Sequence, residues 1–452
     1  MTADVVVLGA GPAGLATALL LSADGHRVTV LDRDSAEPTA RDGQGMSRFR
    51  QPHLLLPRGL AVLERLLPEV VAAIENSGGR RCNLLAGARA EPDRRYEAMA
   101  ARRPLLEAAL AVVAAHEPNI EIRRGAGVRA LLTGHSRRSC VPHVRGVTTE
   151  GGETLEAGLV VDASGCDSPV SAMLGDLRRV QRSAVRTDAG FNYYSRLFRS
   201  ADGSLPAQPA WLLDHHDSVS TLALPGDNGM WSLTLVVSRR DWVMRLLYEE
   251  DVWNRAAALF PELREWITYG EPITGVLTTA GPATRRRHLI SEGRPSVTGL
   301  VSVGDAWATT NPMFCQGMSM ALVQAELLRD ALRAQADPEK IILRYEEAAQ
   351  AALGPFYDTL RFWERNRLAE IYTRIRGGRF YGSAGWTTAK ALEAAKLADP
   401  EVLTAMGDIG SMLVSPEEAL ARPGVVGRAM SLRADAPATA LRRAELLGVI
   451  TR

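Results

Sequence analysis

The chain is poor in the features that mark several common classes of protein. It has three lysines among 53 basic residues, and these balance 52 acidic residues to a net charge of +1, so no basic surface for nucleic acid is expected. Its four cysteines form no Cys-x-x-Cys pair, which argues against a zinc site or a disulfide framework and favours a reducing, cytoplasmic setting. No apolar run reaches the about 18 residues that a membrane span needs. A strand begins almost directly after Met1, so no secretion signal is expected.

The chain does carry a glycine-rich N-terminal segment, ADVVVLGAGPAGLATALLLSADGHRVTVLDRD. A buried strand, a Gly-x-Gly-x-x-Gly turn, a helix, a second strand and an acid follow one another. Gly9 permits the tight turn, Gly11 lets the backbone approach a pyrophosphate, and Gly14 lets the helix pack close to the strand. Asp32 lies where a carboxylate accepts hydrogen bonds from a ribose. The segment therefore predicts a dinucleotide site with the pyrophosphate at the helix N-terminus.

A second segment far along the chain, GLVSVGDAWATTNPMFCQGMSMALVQAELL, places an acid, a proline turn and a helix start in order. It resembles the second FAD fingerprint of the aromatic-hydroxylase-like flavoproteins, which have the p-hydroxybenzoate hydroxylase fold. The resemblance implies that Asp305 holds the ribityl chain of FAD and that Pro312 flanks the flavin ring. Gly317 and Met318 would open a helix beneath the ring, and a helix N-terminus stabilises the negative charge of a reduced flavin. The ribose expected at the first motif therefore belongs to FAD.

Two segments between these motifs have the family's remaining signatures. ARRPLLEAAL resembles the helix whose arginine contacts FAD, so Arg103 is the candidate, with a surface ion pair as the alternative. LVVDASGCDSPV resembles the Asp-Gly motif that touches FAD and NAD(P)H, but it has Ser164 where many members have aspartate, with Asp162 just before. The resemblance as a whole implies cofactor contacts from Gly9, Gly11, Pro12, Ala13, Gly14, Asp32, Arg33, Arg103, Val128, Asp162, Gly304, Asp305, Pro312, Gly317 and Met318.

The loop after the second strand, RDGQGMSRFRQPH, is similar to a loop that lies near the flavin in this family. Its basic residues are candidates for contacts with FAD phosphates or with the nicotinamide donor, and surface solvation is the equally good alternative. These residues are Arg41, Arg48, Arg50 and His53.

The predicted fold is α/β (α+β) with three parts. A Rossmann-like FAD-binding domain takes residues 1–180 and 281–337, and an inserted antiparallel substrate sheet takes residues 181–280, where strand-like alternation is strong. A helical region at 338–452 closes one side of the pocket or supports a dimer. Candidate pocket residues are Arg50, Tyr193, Tyr194, Arg196, Trp211, Phe314 and Cys315, and ordinary core or edge positions are the alternative for those in the sheet. Cys315 replaces a glycine of the family's pattern.

The expected chemistry belongs to the flavin. No Ser-His-Asp set or metal-ligand cluster is evident, and the adjacent His215 and His216 point to opposite faces of a strand. The resemblance implies a monooxygenase that uses FAD, O2 and either NADPH or NADH, or a separate flavin reductase, and that reacts through a flavin C4a-hydroperoxide. Its small-molecule substrate would be a bulky, largely apolar secondary metabolite such as a polyketide, which is epoxidised or hydroxylated.

Four other activities remain open on the same fold. An alkene reductase of the geranylgeranyl-reductase type, and a dehydrogenase or oxidase, would use the FAD site without inserting oxygen. A non-redox cyclase would keep FAD as a scaffold. A halogenase needs a positioned lysine and a tryptophan motif, and none of Lys340, Lys390 and Lys396 lies in such a motif. The sequence specifies neither the substrate nor the oligomeric state.

Overall fold

The computed structural model describes residues 3–38, 52–89, 91, 93–135, 141–175, 190–291, 293–435 and 441–452. The helices in these ranges are α1 Pro12–Ser22, α2 Pro57–Leu66, α3 Pro68–Asn76, α4 Arg103–Ala115, α5 Val170–Gly175, α6 Glu250–Ala257, α7 Pro261–Thr268, α8 Gln316–Ala334, α9 Pro338–Ile375, α10 Ala384–Ala395, α11 Pro400–Gly410, α12 Pro416–Ala421, α13 Val425–Asp435 and α14 Arg443–Ile450. Many begin at a proline, because the first helical position needs no N–H donor.

The strands in the same ranges are β1 Asp4–Leu8, β2 Arg27–Asp32, β3 Pro52–Leu55, β4 Arg80–Asn83, β5 Glu97–Arg102, β6 Ile120–Arg124, β7 Val128–His135, β8 Pro142–Thr149, β9 Thr154–Glu156, β10 Leu159–Asp162, β11 Phe191–Arg199, β12 Leu213–His215, β13 Val219–Pro225, β14 Met230–Ser238, β15 Glu271–Pro272, β16 Leu277–Ala280, β17 Arg285–Arg286, β18 Ile290–Ser291, β19 Arg294–Pro295, β20 Leu300–Ser302 and β21 Ala308–Thr309.

The first large sheet is parallel and has the strand order β20-β10-β1-β2-β6. Its central strands are almost wholly apolar and buried, as expected for a sheet that is covered on both faces. Helix α1 returns the chain from β1 to β2 and packs against α8 and α4. Helix α8 follows β20 and lies about 300 residues after α1 in the chain, yet the two helices are in contact. The two glycine-containing sequence motifs are therefore adjacent in the fold.

The second large sheet is antiparallel, with the order β12-β13-β14-β11-β15 and with β16 also paired to β11. Strands β13 and β14 are buried along their whole length, so both faces of this sheet are covered. One face packs on α6, α7 and α14 through a cluster rich in tryptophan. The other face turns towards α9 and the loop before α8.

The C-terminal helices close the structure on the side of this inner face. Helix α9 is 38 residues long and starts where Asp337 accepts hydrogen bonds from the first free backbone N–H groups. Helices α10 to α13 form a small core of their own. Pro400 and Pro416 occupy the first positions of α11 and α12. None of the described helices is long and apolar enough to cross a membrane.

Candidate functional site

Four parallel strands end side by side at one edge of the first sheet. Leu8 is paired with Asp162, and Asp162 with Ser302, while β2 ends at Asp32 on the other side of β1. Ligands of open α/β sheets bind outside the carboxyl ends of the strands. The candidate site is therefore the cleft that begins at this edge.

The glycine turn after β1 leaves one position open to a ligand. Gly9 has φ +102°, and a Cβ there would lie 2.6 Å from the Ala163 carbonyl oxygen, while a Cβ at Gly14 would lie 1.9 Å from the Gly9 oxygen. At Gly11, by contrast, the nearest heavy atom to a Cβ would be Arg103 Nη2, at 3.9 Å. Packing therefore requires Gly9 and Gly14, whereas at Gly11 the described part of the chain leaves a space that only the Arg103 guanidinium approaches.

Arg103 reaches this space from the start of α4. Its Nε donates to Oε1 of the buried Glu107 over 2.8 Å, which orients the guanidinium across the N-terminus of α1. A guanidinium beside a helix N-terminus is a site for an anion, because both the charge and the free N–H groups attract it.

The two acids at the strand ends are placed differently. Asp32 Oδ2 accepts from the Ala10 N–H over 2.7 Å and is half-buried at the cleft, with Arg33 exposed beside it. Asp162 is 1% exposed, and its carboxylate accepts from Ser164 N, Ser164 Oγ and Ser168 Oγ. Burial raises the pKa of Asp162. Its side chain thus holds the loop after β10, and its contact with the cofactor stays a prediction.

The Gly304-Asp305 turn lies against the first motif. A Cβ at Gly304 would lie 2.9 Å from the Ala13 Cβ, and Asp305 Oδ1 is 3.7 Å from the position of a Cβ on Gly317. Gly304 N donates to Gln324 Oε1 over 2.7 Å, which fixes the turn on α8. The carboxylate of Asp305 and the start of α8 therefore line the same stretch of the cleft as α1. Val128 begins β7 and packs, partly buried, against the core behind the first sheet.

Arg287 is a connecting residue that the sequence did not single out. Its Nη1 donates to the Ala306 oxygen over 2.8 Å and its Nη2 to the Cys166 oxygen over 3.0 Å. One guanidinium thus joins the Gly-Asp turn to the loop after β10. The run of three arginines at 285–287 was the available signal, but an arginine run is more often solvated.

The loop between β21 and α8 is held by side chains at both ends. Asn311 accepts from the Met313 N–H over 3.1 Å, and the hydroxyl of Tyr193 donates to the same Asn311 oxygen. Cys315 then adopts φ +55°, a left-handed conformation that favours glycine. Helix α8 begins at the next residue, so Gly317 and Met318 lie in its first turn, as the sequence predicted.

An apolar cavity of ≈ 200 Å³ lies beside this loop, between the inner face of the second sheet and the C-terminal helices. Leucines and aromatic rings dominate its lining. The lining residues are Leu54, Leu56, Leu84, Leu85, Trp211, Leu212, Leu213, His215, Leu222, Leu224, Met313, Phe314, Cys315, Gln316, Phe356, Thr359, Leu360, Trp363, Glu393, Met406, Gly407, Ile409, Gly410, Ser411 and Pro416.

Three of the predicted pocket residues, Trp211, Phe314 and Cys315, line this cavity. Tyr193 lies on the same side of the sheet, but it is buried against the loop and is not part of the lining. Tyr194 and Arg196 were wrongly predicted to line the pocket.

The error at Tyr194 and Arg196 comes from strand alternation. Side chains of successive residues on β11 point to opposite faces, and these two point to the outer face. Tyr194 packs with Trp253, and Arg196 donates to Asn254 Oδ1 over 2.6 Å and to Glu250 over 3.0 Å.

Of the four residues predicted in the loop after β2, the structure describes one. Arg41, Arg48 and Arg50 lie outside the described residues. His53 lies on β3, where it is paired with Ala101 of β5.

His215 is a polar cavity residue that the sequence did not identify as part of the site. Its Nδ1 is 2.8 Å from Ser220 Oγ, and its ring centroid is 4.4 Å from that of Trp363. Burial and the positive charge of Arg367 lower the pKa of His215 well below its usual range. As predicted, the neighbouring His216 points to the opposite face. It bonds Glu262 there, a partner that the sequence did not indicate.

A buried carboxylate fixes the helical wall of the cavity. Asp408, on α11, is fully buried, accepts a hydrogen bond from Tyr96 Oη over 2.9 Å, and forms ion pairs with Arg422 Nη1 at 2.7 Å and Arg95 Nη2 at 3.1 Å. Tyr96 and Arg95 precede β5, the central strand of the small sheet β3-β5-β4, so this cluster attaches the C-terminal helices to that sheet. The helices thus close one side of the cavity, which was one of the two roles expected for them.

Comparison with known proteins shows the family to which the chain around this site belongs. A model of the family described as FAD binding domain matches residues 2–353. Protein Rv3254 of Mycobacterium tuberculosis is 30% identical over 394 residues, covering 81% of this chain and 80% of that protein. Kynurenine 3-monooxygenase of Salinispora arenicola is 28% identical over 405 residues, covering 84% and 82%. Among solved structures, PqsL of Pseudomonas aeruginosa, a probable FAD-dependent monooxygenase, superposes with a TM-score of 0.61 at 20% identity, covering 82% of this chain and 100% of PqsL.

Proposed function

The chain belongs to the FAD-binding-domain family of aromatic-hydroxylase-like flavoproteins and is an FAD-dependent oxidoreductase, and on this premise we propose that it is a monooxygenase. Its substrate in this proposal is a bulky, largely apolar secondary metabolite, which it epoxidises or hydroxylates. The observation that carries the proposal is the apolar cavity beside the loop of residues 312–316. The kynurenine 3-monooxygenase relative supports oxygen insertion as the reaction class.

The proposed FAD site is the cleft at the edge of the first sheet. The empty space at Gly11, the cation of Arg103 and the acids Asp32 and Asp305 match the pyrophosphate and the hydroxyl groups of such a cofactor. The proposed contacts are Gly9, Gly11, Pro12, Ala13, Gly14, Asp32, Arg33, Arg103, Val128, Gly304, Asp305, Pro312, Gly317 and Met318, with the backbone after Asp162. The three-part division at residues 181, 281 and 338 is proposed with them.

When bound, FAD supplies the electron transfer and oxygen activation. The protein positions the cofactor and the substrate and excludes water from the site. The N-terminus of α8 presents free N–H groups to the cleft, which stabilises negative charge there. Phe314 and Cys315 line the cavity from the same loop that Pro312 opens. A substrate in the cavity is therefore held next to the flavin side of the cleft and shielded from water.

The cavity volume limits how much of the substrate fits beside the lining residues. A cavity of roughly 150 Å³ holds a benzene molecule, and this one measures ≈ 200 Å³. One or two rings fit within it, and the rest of a bulky metabolite extends beyond the lining residues.

An anaerobic reduction experiment tests the proposal. The purified yellow protein is mixed with NADPH or NADH, alone and with candidate apolar substrates, and the visible flavin absorbance is followed before air is admitted. We expect bleaching, then reoxidation in air with oxygen incorporated into the substrate. Reduction without oxygen incorporation, or reduction of a substrate double bond, would contradict monooxygenation in favour of the reductase.

The source of electrons is part of the same proposal. NADPH or NADH is the proposed donor, in a cytoplasmic setting where both are available. If neither bleaches the flavin but an added flavin reductase restores turnover, the donor is a partner protein. Turnover of substrate without any flavin reduction would instead identify the non-redox cyclase.

A further inference from the structure

A cluster of arginines lies on the surface where strand β14 and helix α9 end. Arg240 follows β14, and its Cζ atom is 5.0 Å from the centre of the Tyr372 ring on α9. Arg376, at the end of α9, has its Cζ atom 4.4 Å from the centre of the same ring. The Tyr372 ring therefore joins the segment after β14 to the end of α9.

Two further arginines extend this cluster, and each lies over an exposed aromatic ring. Arg245, on the 3-10 helix Val243–Tyr248, stacks on Trp242 with 3.6 Å between Cζ and the ring centre. Arg379, in the segment after α9, lies 5.4 Å from the ring centre of Tyr381. Trp242 is 65% exposed and Tyr381 is 79% exposed. Large aromatic side chains are buried on average, so the display of two such rings beside arginines points to a surface that binds a partner.

The positive charge of this surface is not neutralised by nearby acids. In the described part of the chain, none of the four arginine side chains has a carboxylate within ion-pair distance. The sequence has no acidic residue between Glu370 and Glu393. Asp241 is the one acid between β14 and the end of the 3-10 helix, and it is buried and paired with Arg443. We call this surface the basic aromatic patch, and its members are Arg240, Trp242, Val243, Arg245, Leu246, Tyr372, Arg376, Arg379 and Tyr381.

An anionic lipid bilayer has the chemistry that matches this patch. Arginines are attracted to anionic headgroups, and tryptophan and tyrosine are enriched where a bilayer meets water. Trp242, Val243 and Leu246 are exposed next to the arginines, so apolar and cationic groups reach the surface together. A bilayer offers phosphates and acyl chains at neighbouring depths and accepts such side chains without a matching pocket. An acidic protein would satisfy the charges but would need a shaped apolar surface as well.

Helix α9 connects the patch with the apolar cavity. Trp363 lines the cavity, and it precedes Tyr372 by about two and a half turns, or about 14 Å, along the same helix. Its ring also meets the Trp386 ring, which lies shortly after Tyr381 in the chain. A bilayer that contacts the patch therefore lies close to the cavity, and apolar molecules dissolved in that bilayer are near it.

We propose that the basic aromatic patch attaches the protein to the surface of an anionic lipid bilayer. In this arrangement the arginines lie among the headgroups, and Trp242 and Tyr381 lie at the boundary with the acyl chains. The proposal concerns attachment to a membrane surface and not a membrane span. It is independent of the reaction that the flavin performs, so the failure of either proposal leaves the other standing.

Sedimentation with sucrose-loaded vesicles tests the proposal on the FAD-loaded full chain. Vesicles of phosphatidylcholine alone are compared with vesicles in which one quarter of the lipid is phosphatidylglycerol. We expect binding to the anionic vesicles only. Raising NaCl from 0.1 M to 1 M should release the protein, because the Debye length falls from about 10 Å to about 3 Å.

A variant without the four arginines tests the charge of the patch. Each arginine near an anionic surface strengthens binding about five-fold, so the loss of all four should weaken binding at least ~100-fold. The substitutions are Arg240→Gln, Arg245→Gln, Arg376→Gln and Arg379→Gln. The control variant removes the same charge from four arginines that are ion-paired with acids, and it should bind nearly as well as the wild type. Its substitutions are Arg27→Gln, Arg81→Gln, Arg123→Gln and Arg145→Gln.

A second variant, Trp242→Ser with Tyr381→Ser, keeps every arginine and tests the aromatic rings. It should bind anionic vesicles at least ~10-fold more weakly, since large apolar side chains no longer leave water. Thermal unfolding and FAD content should match the wild type in all variants, and the salt comparison on the wild type needs no substitution.

Three results would overturn the proposal. The first is equal weakening in the control variant, and the second is wild-type binding by the arginine variant or by the aromatic variant. The third is the absence of wild-type binding to anionic vesicles, which would make an acidic protein the better partner for the patch.

Discussion

Gly11 offers the sharpest test of the cofactor cleft, because it separates ligand binding from folding. At φ −80° its backbone suits any residue, and the nearest atom of the described residues to an added Cβ is Arg103 Nη2 at 3.9 Å. Gly11→Ala therefore costs the protein only a few tenths to about 1 kcal/mol at the helix start. The new methyl group occupies the space where a pyrophosphate must approach. Loss of one or two charge-assisted hydrogen bonds, at about 1.5–3 kcal/mol each, weakens FAD binding by at least ~10-fold.

The assay has two parts that must be read together. FAD is removed, and the apo-protein is titrated with FAD while flavin fluorescence is followed; thermal unfolding of the same apo-protein gives its stability. Gly14→Ala is the contrasting variant, because its Cβ would lie 1.9 Å from a carbonyl oxygen and must disrupt the fold. Gly427→Ala, in α13 with no described atom near its Cβ, should leave the affinity for FAD unchanged and raise stability by up to about 1 kcal/mol. Wild-type affinity for FAD in Gly11→Ala would refute the cleft as the pyrophosphate site.

Three further predictions concern carboxylates. Asp305→Ala should lower FAD retention by roughly 10- to 100-fold, since a charged acceptor is worth about 1.5–3 kcal/mol; normal flavin content after gel filtration would contradict its role. Asp408→Asn should cost about 1–3 kcal/mol in urea unfolding, because its arginine and tyrosine partners lose a buried charge. Although burial by itself raises the pKa of Asp24, hydrogen bonds from Arg333 and Arg329 lower it to about 2. Its stabilisation is thus complete above about pH 4 and is lost as pH falls towards 2, so Asp24→Asn should differ from wild type by ~1–2 kcal/mol at pH 5 and by less at pH 2.5.

The features that could be predicted best from the sequence are those that depend on residues adjacent in the chain. The glycine turn after β1 and the Gly-Asp turn before α8 are local patterns, and each glycine has a local steric task. The FAD-binding family and the mixed fold were therefore predictable. The left-handed conformation of Cys315 was not predicted, although the glycine at that position in the family's pattern was an available signal.

The cavity was harder to predict, because its walls come from distant parts of the chain. Tyr193 and Tyr194 were both predicted as pocket residues, although neighbours on a strand face opposite ways and the sequence does not show which face is inward. That depends on α6 and α7, which cover the outer face. His215 was set aside as half of a histidine pair, because nothing near it in sequence shows that α9 and α11 enclose it.

The cavity wall has a consequence for how enzymes of this kind diversify. The family match ends at residue 353, whereas Thr359, Leu360, Trp363 and the lining residues of α11 and its neighbours come later in the chain. One wall of the cavity is thus encoded after the stretch that the FAD-binding family shares, while the other walls lie within it. Exchange or drift of the last hundred residues would alter which molecules are accepted while the inherited flavin machinery stays intact.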